Sequence, residues 1–350
     1  MHKILAVNPG STSTKIALFE DEAEISGDVF RHDAAVLRCC AGLWNQLELR
    51  WQPVHDWTSR NVRELSAVVA IGGMFRPLAG GAYTVNERML SDARANLQGE
   101  HASNLGCALA QRLASDYGCP AYVVDPVSVD ELEPLARYSG HPLIQRRSLS
   151  HAVSIHATAR RAANQLGLAR AESSMVVAHL GGGISVAPVR AGRIIDMNDA
   201  SSDGPFSPER TGGLPLQQFI GLCFSGAYSE GEVRKLVMGR GGLVAYLGTN
   251  SATEVEERIQ AGDQAAREVY EAMAYQIAKE IGAMATVLAG GVDAVVLTGG
   301  LACSEPLVHW IKERVSFLGP VLVYRGENEM SALAEGALRV LRGEAQALEY

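Results

Sequence analysis

The first apolar run of the chain is Ile4-Leu-Ala-Val-Asn8, which leads into Pro9-Gly-Ser-Thr-Ser-Thr-Lys15 and then into Ile16-Ala-Leu-Phe19. Two short apolar runs on either side of a polar, glycine-bearing segment are typical of a strand, a turn and a second strand. An acidic turn at Glu20-Asp-Glu22 follows the second run. The N-terminus therefore predicts a β-hairpin whose turn is polar and open.

The same hairpin pattern returns about half a chain later. It runs through Met175-Val-Val-Ala178, His179-Leu-Gly-Gly-Gly183, Ile184-Ser-Val186 and Arg193-Ile-Ile-Asp196. Each hairpin is followed by two more apolar runs in the same order: Ala67–Gly73 and Pro120–Asp125 after the first, Ala294–Gly300 and Pro320–Tyr324 after the second. Three parallels in one order indicate an internal duplication.

Two helical patterns lie in the C-terminal part of the chain. Apolar residues spaced three or four apart predict one stripe of a long helix, formed by Val269, Met273, Ile277, Ile281, Met284 and Leu288. A similar pattern runs from Met330 to Leu341, with Asn328 as its N-cap and Gly343 as its stop. We expect both helices to cover sheets.

The length of 350 residues exceeds the roughly 250 to 300 at which one hydrophobic core usually stops growing, so we expect two domains. Strands alternating with helices, repeated twice, predict an α/β protein of mixed sheets flanked by helices. We place the first domain at residues 1–150, joined by a C-terminal helix at 330–350, and the second at 151–329. A nucleotide would bind in the cleft between the domains.

Composition excludes several classes of protein. A formal net charge of −8, with no block of lysine and arginine, argues against nucleic acid as a partner. The run Ile4–Val7 is too short for a signal peptide or a membrane span, so we expect a cytoplasmic protein without a membrane partner. The six cysteines show no CxxC spacing, which favours reduced thiols over disulfides or zinc.

Glycine-rich turns after strands are the first candidates for a binding site. Backbone N–H groups in such turns can hold phosphate oxygens because no side chain blocks them. The stretch from Gly10 to Lys15 lacks the second glycine of a P-loop, and no GxGxxG motif opens a helix. For one turn alone, a structural hairpin is the simpler interpretation, but three such turns together favour nucleotide binding.

The stretch from Ser201 to Pro215 contains too much glycine and proline for a regular element, and long structured loops are usually functional. Its cation, Arg210, suits a carboxylate or a phosphoryl group because guanidinium presents a planar fork of donors. A surface ion pair is the alternative interpretation.

Two histidines and two acids complete the candidates. His151 and His156 are five residues apart, which on a helix would turn them to different faces and argues against a shared metal site. Asp125 and Glu329 end strand-like runs, where they could hold magnesium through water, although a helix N-cap is the plainer alternative.

At this point the sequence resembles the acetate kinase family, most closely its butyrate-phosphorylating members, from Ile4 to about Leu341. The matching stretches are Val7–Lys15, His101–Gly106, His179–Ser185, Gly204–Arg210, Gly241–Asn250 and Tyr275–Gly282. The resemblance implies a duplicated actin-like ATPase fold, of the ribonuclease H-like type. It also implies reversible phosphoryl transfer from ATP to a short-chain fatty acid, butyrate or a branched analogue, giving acyl phosphate and ADP with Mg²⁺.

The resemblance also implies roles for particular residues. Asn8 would contact the transferring phosphoryl group, His179 would donate to its oxygens, Arg210 would steady carboxylate and phosphoryl, and His151 matches the transition-state histidine. Residues near the nucleotide would be Ser11, Lys15, Gly181, Gly182, Gly183, Gly299 and Gly300. Asp125 and Glu329 would serve the metal. Family members form dimers or higher assemblies, so we expect a homo-oligomer.

The sequence departs from the family pattern at Ile71, where an arginine usually precedes the glycine pair, and the nearest cation downstream is Arg76. Three alternatives accompany this interpretation, and the second of them rests on Ile71. An acetate or propionate kinase would differ in pocket shape, and a catalytically impaired ATP-binding clamp with a regulatory role would bind nucleotide without turnover. A sugar kinase would need a general-base aspartate.

Overall fold

The computed structural model of the protein describes residues 1–326 and 329–350. Its strands are β1 Lys3–Pro9, β2 Ser13–Glu20, β3 Ala23–Arg31, β4 Ala67–Ile71, β5 Ala82–Thr84, β6 Ala121–Val124, β7 Ser174–Leu180, β8 Ile184–Arg190, β9 Arg193–Ile194, β10 Ala294–Gly299 and β11 Val321–Arg325. Its helices are α1 Ala34–Cys39, α2 Leu47–Asn61, α3 Glu87–Arg94, α4 Gly106–Tyr117, α5 Ala152–Leu166, α6 Leu216–Cys223, α7 Glu230–Val237, α8 Gly242–Leu247, α9 Ala252–Gln260, α10 Gln264–Val287, α11 Glu305–Val315 and α12 Glu329–Leu341. In the part of the chain that is described, no helix combines the length and apolar content needed to cross a membrane.

The chain divides into two compact units. The first contains residues 1–130 and 329–350, and the second contains residues 131–326. The sequence placed the boundary at residue 150, whereas residues 131–150 belong to the second unit. The second unit is therefore an insertion in the first, which the chain re-enters with α12.

The first unit contains a six-stranded mixed sheet with the strand order β3-β2-β1-β4-β6-β5. β1, β2 and β3 form antiparallel pairs, because each follows the last through a short turn. β4 and β6 extend the sheet in parallel to β1, and β5 returns antiparallel to β6. The predicted N-terminal hairpin is thus confirmed, with Asn8 opposite Lys15 near its turn.

The second unit repeats this arrangement. Its five strands follow the order β11-β10-β7-β8-β9, in which β7, β8 and β9 are antiparallel and β10 and β11 are parallel to β7. Read from the other edge, this order and these directions match β3-β2-β1-β4-β6 of the first unit. The shared topology confirms the internal duplication that the sequence predicted.

Each unit has its own hydrophobic core. In the second unit, α10 buries Met273, Ile277, Ile281 and Met284, with Leu288 at its C-cap, and these residues form the predicted stripe. Burial of one apolar stripe explains why this 24-residue helix is stable, since most helical stability in proteins comes from such packing.

Helix α12 packs against β1, β4 and β6 of the first unit. Gly336 permits the close approach, since a Cβ there would lie 2.5 Å from Cγ1 of Val124. The helix ends before Gly343, whose φ of +75° is the left-handed conformation typical of a helix stop. Asn328, the predicted N-cap, lies outside the described residues.

Candidate active site

In the second unit, the end of the β7–β8 hairpin places His179 and Ser185 directly opposite each other. Residues paired across two strands project from the same face of a sheet, so the imidazole and the hydroxyl are neighbours. Both side chains are buried, His179 to 5% exposure and Ser185 completely. The polar groups at this strand end are therefore held away from bulk water.

His151 reaches this hairpin from a different element. It is the residue before α5, with φ −80° and ψ 55°, and not a residue within the helix. Its ring stacks on that of His179, with 4.0 Å between ring centroids and 13° between ring planes. Its Nδ1 lies 3.0 Å from Oγ of Ser185. The structure thus brings together two histidines that are far apart in sequence.

His156 has a separate environment. It is buried within α5, and its Nε2 lies 3.2 Å from Oε2 of Glu131. The same carboxylate oxygen accepts a hydrogen bond of 2.8 Å from the N–H of Ile194. His156 thus helps to hold the start of the second unit against its sheet, whereas His151 contacts the hairpin.

The glycine turn at 181–183 lies between His179 and Arg210. A Cβ at Gly183 would come 2.3 Å from Nη1 of Arg210, so the guanidinium occupies the space that any side chain at 183 would need. A Cβ at Gly181 would lie 3.2 Å from Nε2 of His179, whereas one at Gly182 would meet nothing within 4 Å. A side chain at 183 would therefore displace the guanidinium, whereas one at 181 would need the ring of His179 to shift by only a few tenths of an ångström.

Arg210 is held by the irregular loop that the sequence predicted. Its Nη1 donates to the carbonyl of Ala200 at 2.9 Å, and its own carbonyl accepts from the N–H of Ser207 at 3.0 Å. The hydroxyl of Ser207 donates in turn to the carbonyl of Gly182 at 2.6 Å, which joins this loop to the glycine turn. Burial lowers the pKa of Arg210 from its ordinary value, with Glu209 opposing the shift. Arginine nevertheless stays charged at neutral pH, so the loop presents a partly dehydrated cation.

Gly299 and Gly300 lie beside the end of the same hairpin. Gly299 has a φ of +95°, and a Cβ there would come 2.4 Å from the carbonyl oxygen of Leu180. Glycine is required at this position because the ends of β10 and β7 approach so closely. A Cβ at Gly300 would meet nothing within 4 Å, so its backbone is open.

In the first unit, Asn8, Lys15 and Glu329 come together at the end of β1. Asn8 and Lys15 are cross-strand partners, and the Nδ2 of Asn8 donates to Oε2 of Glu329 at 2.8 Å. Glu329 is the first residue of α12, so its position depends on the packing of that helix on the sheet. Ser11 lies in the exposed turn between β1 and β2.

Asp125 follows β6 and is buried to 3% exposure, with a φ of +40°. Its Oδ1 accepts a hydrogen bond of 2.7 Å from the N–H of Gly81, and its own N–H donates to the carbonyl of Gly81 at 2.9 Å. These contacts give it a structural part in fixing the Gly81 turn. Among residues 1–326 and 329–350, no three histidine, cysteine, aspartate or glutamate side chains are grouped around a metal site.

Arg76 is the nearest cation downstream of Ile71, the position at which the family usually has an arginine, and it has a structural partner. Arg76 forms a bidentate ion pair with Asp92, with Nη2 to Oδ1 at 2.9 Å, and the hydroxyl of the C-terminal Tyr350 donates to the same carboxylate at 3.0 Å. These contacts raise the pKa of Arg76 and lower that of Asp92. Ile71 itself is buried at the end of β4.

Sequence analysis missed two residues that support these clusters. Ser185 belongs to the recognised stretch after His179, but its contact with His151 joins elements 34 residues apart. Arg50 lies in α2, in a tryptophan-bearing segment that suggested no role, and is completely buried against the β1–β2 turn. A lone arginine in a helix usually indicates an exposed face, so the sequence carried no signal for its burial.

Several known proteins are similar to this chain in sequence. The pattern of the Acetokinase family matches residues 134–324. Over 347 residues the chain is 52% identical to a probable butyrate kinase 2 of Caldanaerobacter subterraneus, covering 98% of each chain. Over 352 residues it is 46% identical to butyrate kinase 2 of Clostridium acetobutylicum, covering 99% of each.

The fold matches a solved structure as well. The crystal structure of Porphyromonas gingivalis acetate kinase superposes with a TM-score of 0.80 at 17% identity, covering 97% of this chain and all of that one. This likeness confirms the predicted α/β fold of the actin-like ATPase type. With the family pattern over more than half of the chain and near-full-length relatives at 46% and 52% identity, the chain belongs to the acetokinase family.

Proposed function

We propose that the protein catalyses the reversible transfer of a phosphoryl group from ATP to the carboxylate of a short-chain fatty acid, butyrate or a branched analogue. The products are the acyl phosphate and ADP. The observation that carries the proposal is the partly buried guanidinium of Arg210 against Gly183, in the same unit as the stacked pair His151 and His179. The names of the two relatives, both butyrate kinases, support the choice of acid.

The chemistry requires charge neutralisation more than proton transfer. A carboxylate is already a nucleophile, so the reaction needs no strong general base. The difficulty is to bring the carboxylate and the phosphoryl group together, since both are negative. Arg210 offers a planar fork of donors to such groups, and its partial burial strengthens the attraction because less water screens the charge.

The stacked histidines supply further donors. We assign His179 to the oxygens of the transferring phosphoryl group and His151 to the transition state, in which charge spreads over those oxygens. The contact of His151 Nδ1 with Oγ of Ser185 fixes the orientation of the ring. Preorganised donors of this kind contribute because they need no reorientation during the reaction.

The first unit contributes the set formed by Asn8, Lys15 and Glu329. We assign Asn8 to the transferring phosphoryl group, with Lys15 and Ser11 nearby on the same hairpin. The open backbones of Gly182 and Gly300 in the second unit suit the nucleotide, together with their neighbours Gly181, Gly183 and Gly299.

The donor set of the first unit fits Mg²⁺. Magnesium in kinases is usually bound through one or two carboxylates together with substrate phosphates and water, which agrees with a single carboxylate at Glu329 beside the amide of Asn8. When bound, the ion would neutralise charge on the phosphates. Asp125, whose carboxylate already holds Gly81, would act in support of the site.

The preferred acid depends on the shape of an apolar pocket. One methylene in such a pocket changes specificity by about 1–3 kcal/mol, so acetate and propionate are the natural competitors. Comparison of kcat/KM for acids of two to five carbons, straight and branched, would show which acid the enzyme prefers.

We also keep a cytoplasmic location and a homo-oligomeric state, as dimer or higher assembly, as predictions.

A hydroxylamine-trapping assay tests the function directly. With Mg-ATP and butyrate or isobutyrate, we expect hydroxamate to form and Arg210→Ala to lower its rate by about 10²-fold or more. Arg240→Ala, an exposed arginine that follows α7, is the matched control and should leave the rate unchanged. Absence of hydroxamate from every acid, with ATP still bound by the folded protein, would contradict the proposal and favour the clamp.

A further inference from the structure

Arg50 lies in α2 and is completely buried, which is unusual for an arginine. It lies beneath the turn that joins β1 to β2, the turn that carries Ser11 between Asn8 and Lys15. Its side chain donates hydrogen bonds to Gln46, one helical turn earlier, and to residues that are 36 to 40 positions away in the sequence. Helix α2 therefore places a positively charged side chain against the β1–β2 turn.

The guanidinium of Arg50 donates to four residues of this turn. Its hydrogen bonds go to the carbonyl oxygens of Gly10 at 2.8 Å, Ser13 at 3.1 Å and Ser11 at 3.3 Å, to Oγ1 of Thr14 at 3.3 Å and to Oε1 of Gln46 at 3.0 Å. The five acceptors use the planar fork that distinguishes arginine from lysine. The side chain thus fixes the direction in which the carbonyl groups of the turn point.

The direction of these carbonyl groups also fixes the neighbouring N–H groups. In a planar trans peptide, the C=O of one residue and the N–H of the next point in opposite directions. Since the carbonyls of Gly10 and Ser11 point towards Arg50, the N–H groups of Ser11 and Thr12 point away from it. Both residues are exposed, so these N–H groups face outwards from the turn. Successive N–H groups on one side of a turn form an anion-binding concavity.

The charge of Arg50 points to an anion as well. Within the described residues, its guanidinium contacts carbonyl, hydroxyl and amide oxygens and pairs with no carboxylate. A buried cation without an acid partner is costly, and burial lowers its pKa. The hydroxyl of Thr14 also lies 2.9 Å from Nε2 of His32, whose pKa is lowered by burial and by Arg50. The neighbouring ring is thus kept neutral, and no carboxylate among the described residues pairs with Arg50.

We propose that Arg50 is a positioning residue, which holds the β1–β2 turn so that the N–H groups of Ser11 and Thr12 bind the phosphoryl group that is transferred. This inference rests on the proposed function. The bound species would be the terminal phosphoryl group of ATP or that of the acyl phosphate, which share the same oxygens. Binding of that group would also place an anion close to the buried charge.

The test compares two variants of Arg50 with a control on the same helix. Arg50→Met keeps the volume and removes charge and donors, Arg50→Lys keeps the charge but not the fork, and Arg60→Met changes an exposed arginine near the end of α2. We expect Arg50→Met to weaken binding of ATP and butyryl phosphate and to lower kcat/KM, each by about 10- to 100-fold. ADP, which lacks the transferred group, should bind nearly as in the wild type. Arg50→Lys should be intermediate and Arg60→Met unchanged.

Amide NMR provides a readout that a purely structural role would not move. On titration with inorganic phosphate, the N–H signals of Ser11 and Thr12 should shift in the wild type and in Arg60→Met, and should shift much less in Arg50→Lys. If Arg50→Met does not fold, Arg50→Lys decides the question by the same measurements. Unchanged phosphate-dependent shifts and unchanged ATP and butyryl phosphate affinities in a folded Arg50 variant would overturn the inference.

This design separates the two proposals. Binding of phosphate and ATP requires no turnover, so the role of Arg50 is decided even if no acid is phosphorylated. A wild-type protein that makes no acyl phosphate, yet shows phosphate shifts that depend on Arg50, would contradict the proposed function and support the role of Arg50.

Discussion

The imidazole of His151 lies parallel to that of His179, with 4.0 Å between the ring centroids, and it is held there by the hydroxyl of Ser185 at 3.0 Å. Ser185 is itself the cross-strand partner of His179. One hairpin thus supplies both the ring on which His151 stacks and the group that orients it. The two histidines therefore behave as one unit whose geometry depends on a third residue.

Replacement of Ser185 by alanine should loosen His151 without unfolding the protein. We expect Ser185→Ala to lower kcat by roughly 2- to 10-fold, the effect of losing about 0.5–1.5 kcal/mol of hydrogen bonding, with little change in KM for ATP. Ser154→Ala is the matched control, since this buried hydroxyl on α5 has no hydrogen-bond partner among the described residues. Steady-state kinetics measure kcat and KM of both variants. An equal loss of kcat in Ser185→Ala and Ser154→Ala would contradict the role of Ser185 in positioning His151.

The turn at 181–183 provides a test of Arg210 that leaves the arginine in place. Because a Cβ at Gly183 would lie 2.3 Å from Nη1 of Arg210, Gly183→Ala should displace the guanidinium. A displacement of about 1 Å in a catalytic group can lower activity by about 10²-fold, and we expect a loss of that order in kcat/KM. Gly182→Ala, which meets nothing within 4 Å, should be close to the wild type. A fully active Gly183→Ala would argue against a catalytic position for Arg210.

The role of Glu329 can be separated from the packing of α12. Glu329→Gln keeps an oxygen that can accept the hydrogen bond from Asn8 but removes the charge. If this carboxylate serves Mg²⁺, the concentration of Mg²⁺ for half-maximal activity should rise by about 10-fold. Glu344→Gln, an exposed acid beyond the helix, is the control. A change in thermal stability without a change in Mg²⁺ dependence would assign Glu329 a structural role only.

The loop that carries Arg210 should respond to pH through Asp203. Burial, with a further contribution from Asp199, raises the pKa of Asp203 to about 6, against 3.8 for the ordinary carboxyl group. Between these values the folded state binds more protons than the unfolded state, so this contribution to stability is present below pH 3.8 and is lost as the pH rises through 6.

Asparagine at position 203 cannot ionise, so Asp203→Asn avoids the loss of stability that the buried carboxylate causes above pH 6. The variant should therefore have a higher Tm than the wild type at pH 7.5 and a smaller difference at pH 4.5. A gain of about 1 kcal/mol corresponds to roughly 2–4 °C for a unit of this size. Thermal unfolding followed by circular dichroism at several pH values measures the difference. Asp28→Asn, at an exposed acid of the first unit, should show no such trend with pH. A Tm difference between Asp203→Asn and the wild type that does not change with pH would contradict a raised pKa for Asp203.

The repeated sheet could be predicted from sequence because its signals are local. The apolar runs around Asn8 and His179, and the parallels that follow each, required only short-range alternation and turn chemistry. The stripe of α10 was equally clear, since the burial of Met273 and Ile277 follows directly from helical spacing. The position of His151 was not predicted: the sequence showed only that a helix would turn His151 and His156 to different faces, and His151 in fact precedes α5.

The supporting contacts could not be predicted, because they join residues that no local pattern connects. The guanidinium of Arg210 fills the space beside Gly183, and that of Arg50 reaches the carbonyls of the β1–β2 turn from another element. Burial of an arginine depends on the acceptors that the folded chain collects around it, and sequence periodicity does not report them. The sequence suggested no role for the segment from Trp44 to Trp57, and the structure explains it: α2 packs on the core, with Trp57 buried, and carries Arg50.

The return of α12 to the first unit has a consequence for how the protein is made. A ribosome releases residues 1–130 first, but the helix that covers β1, β4 and β6 is encoded at the other end of the chain. The second unit is continuous in sequence and can fold while synthesis proceeds, whereas the first keeps one face of its sheet uncovered until α12 has been synthesised. The nascent first unit is therefore the part of this protein that needs protection from aggregation, and Glu329 reaches Asn8 only after the second unit has been synthesised.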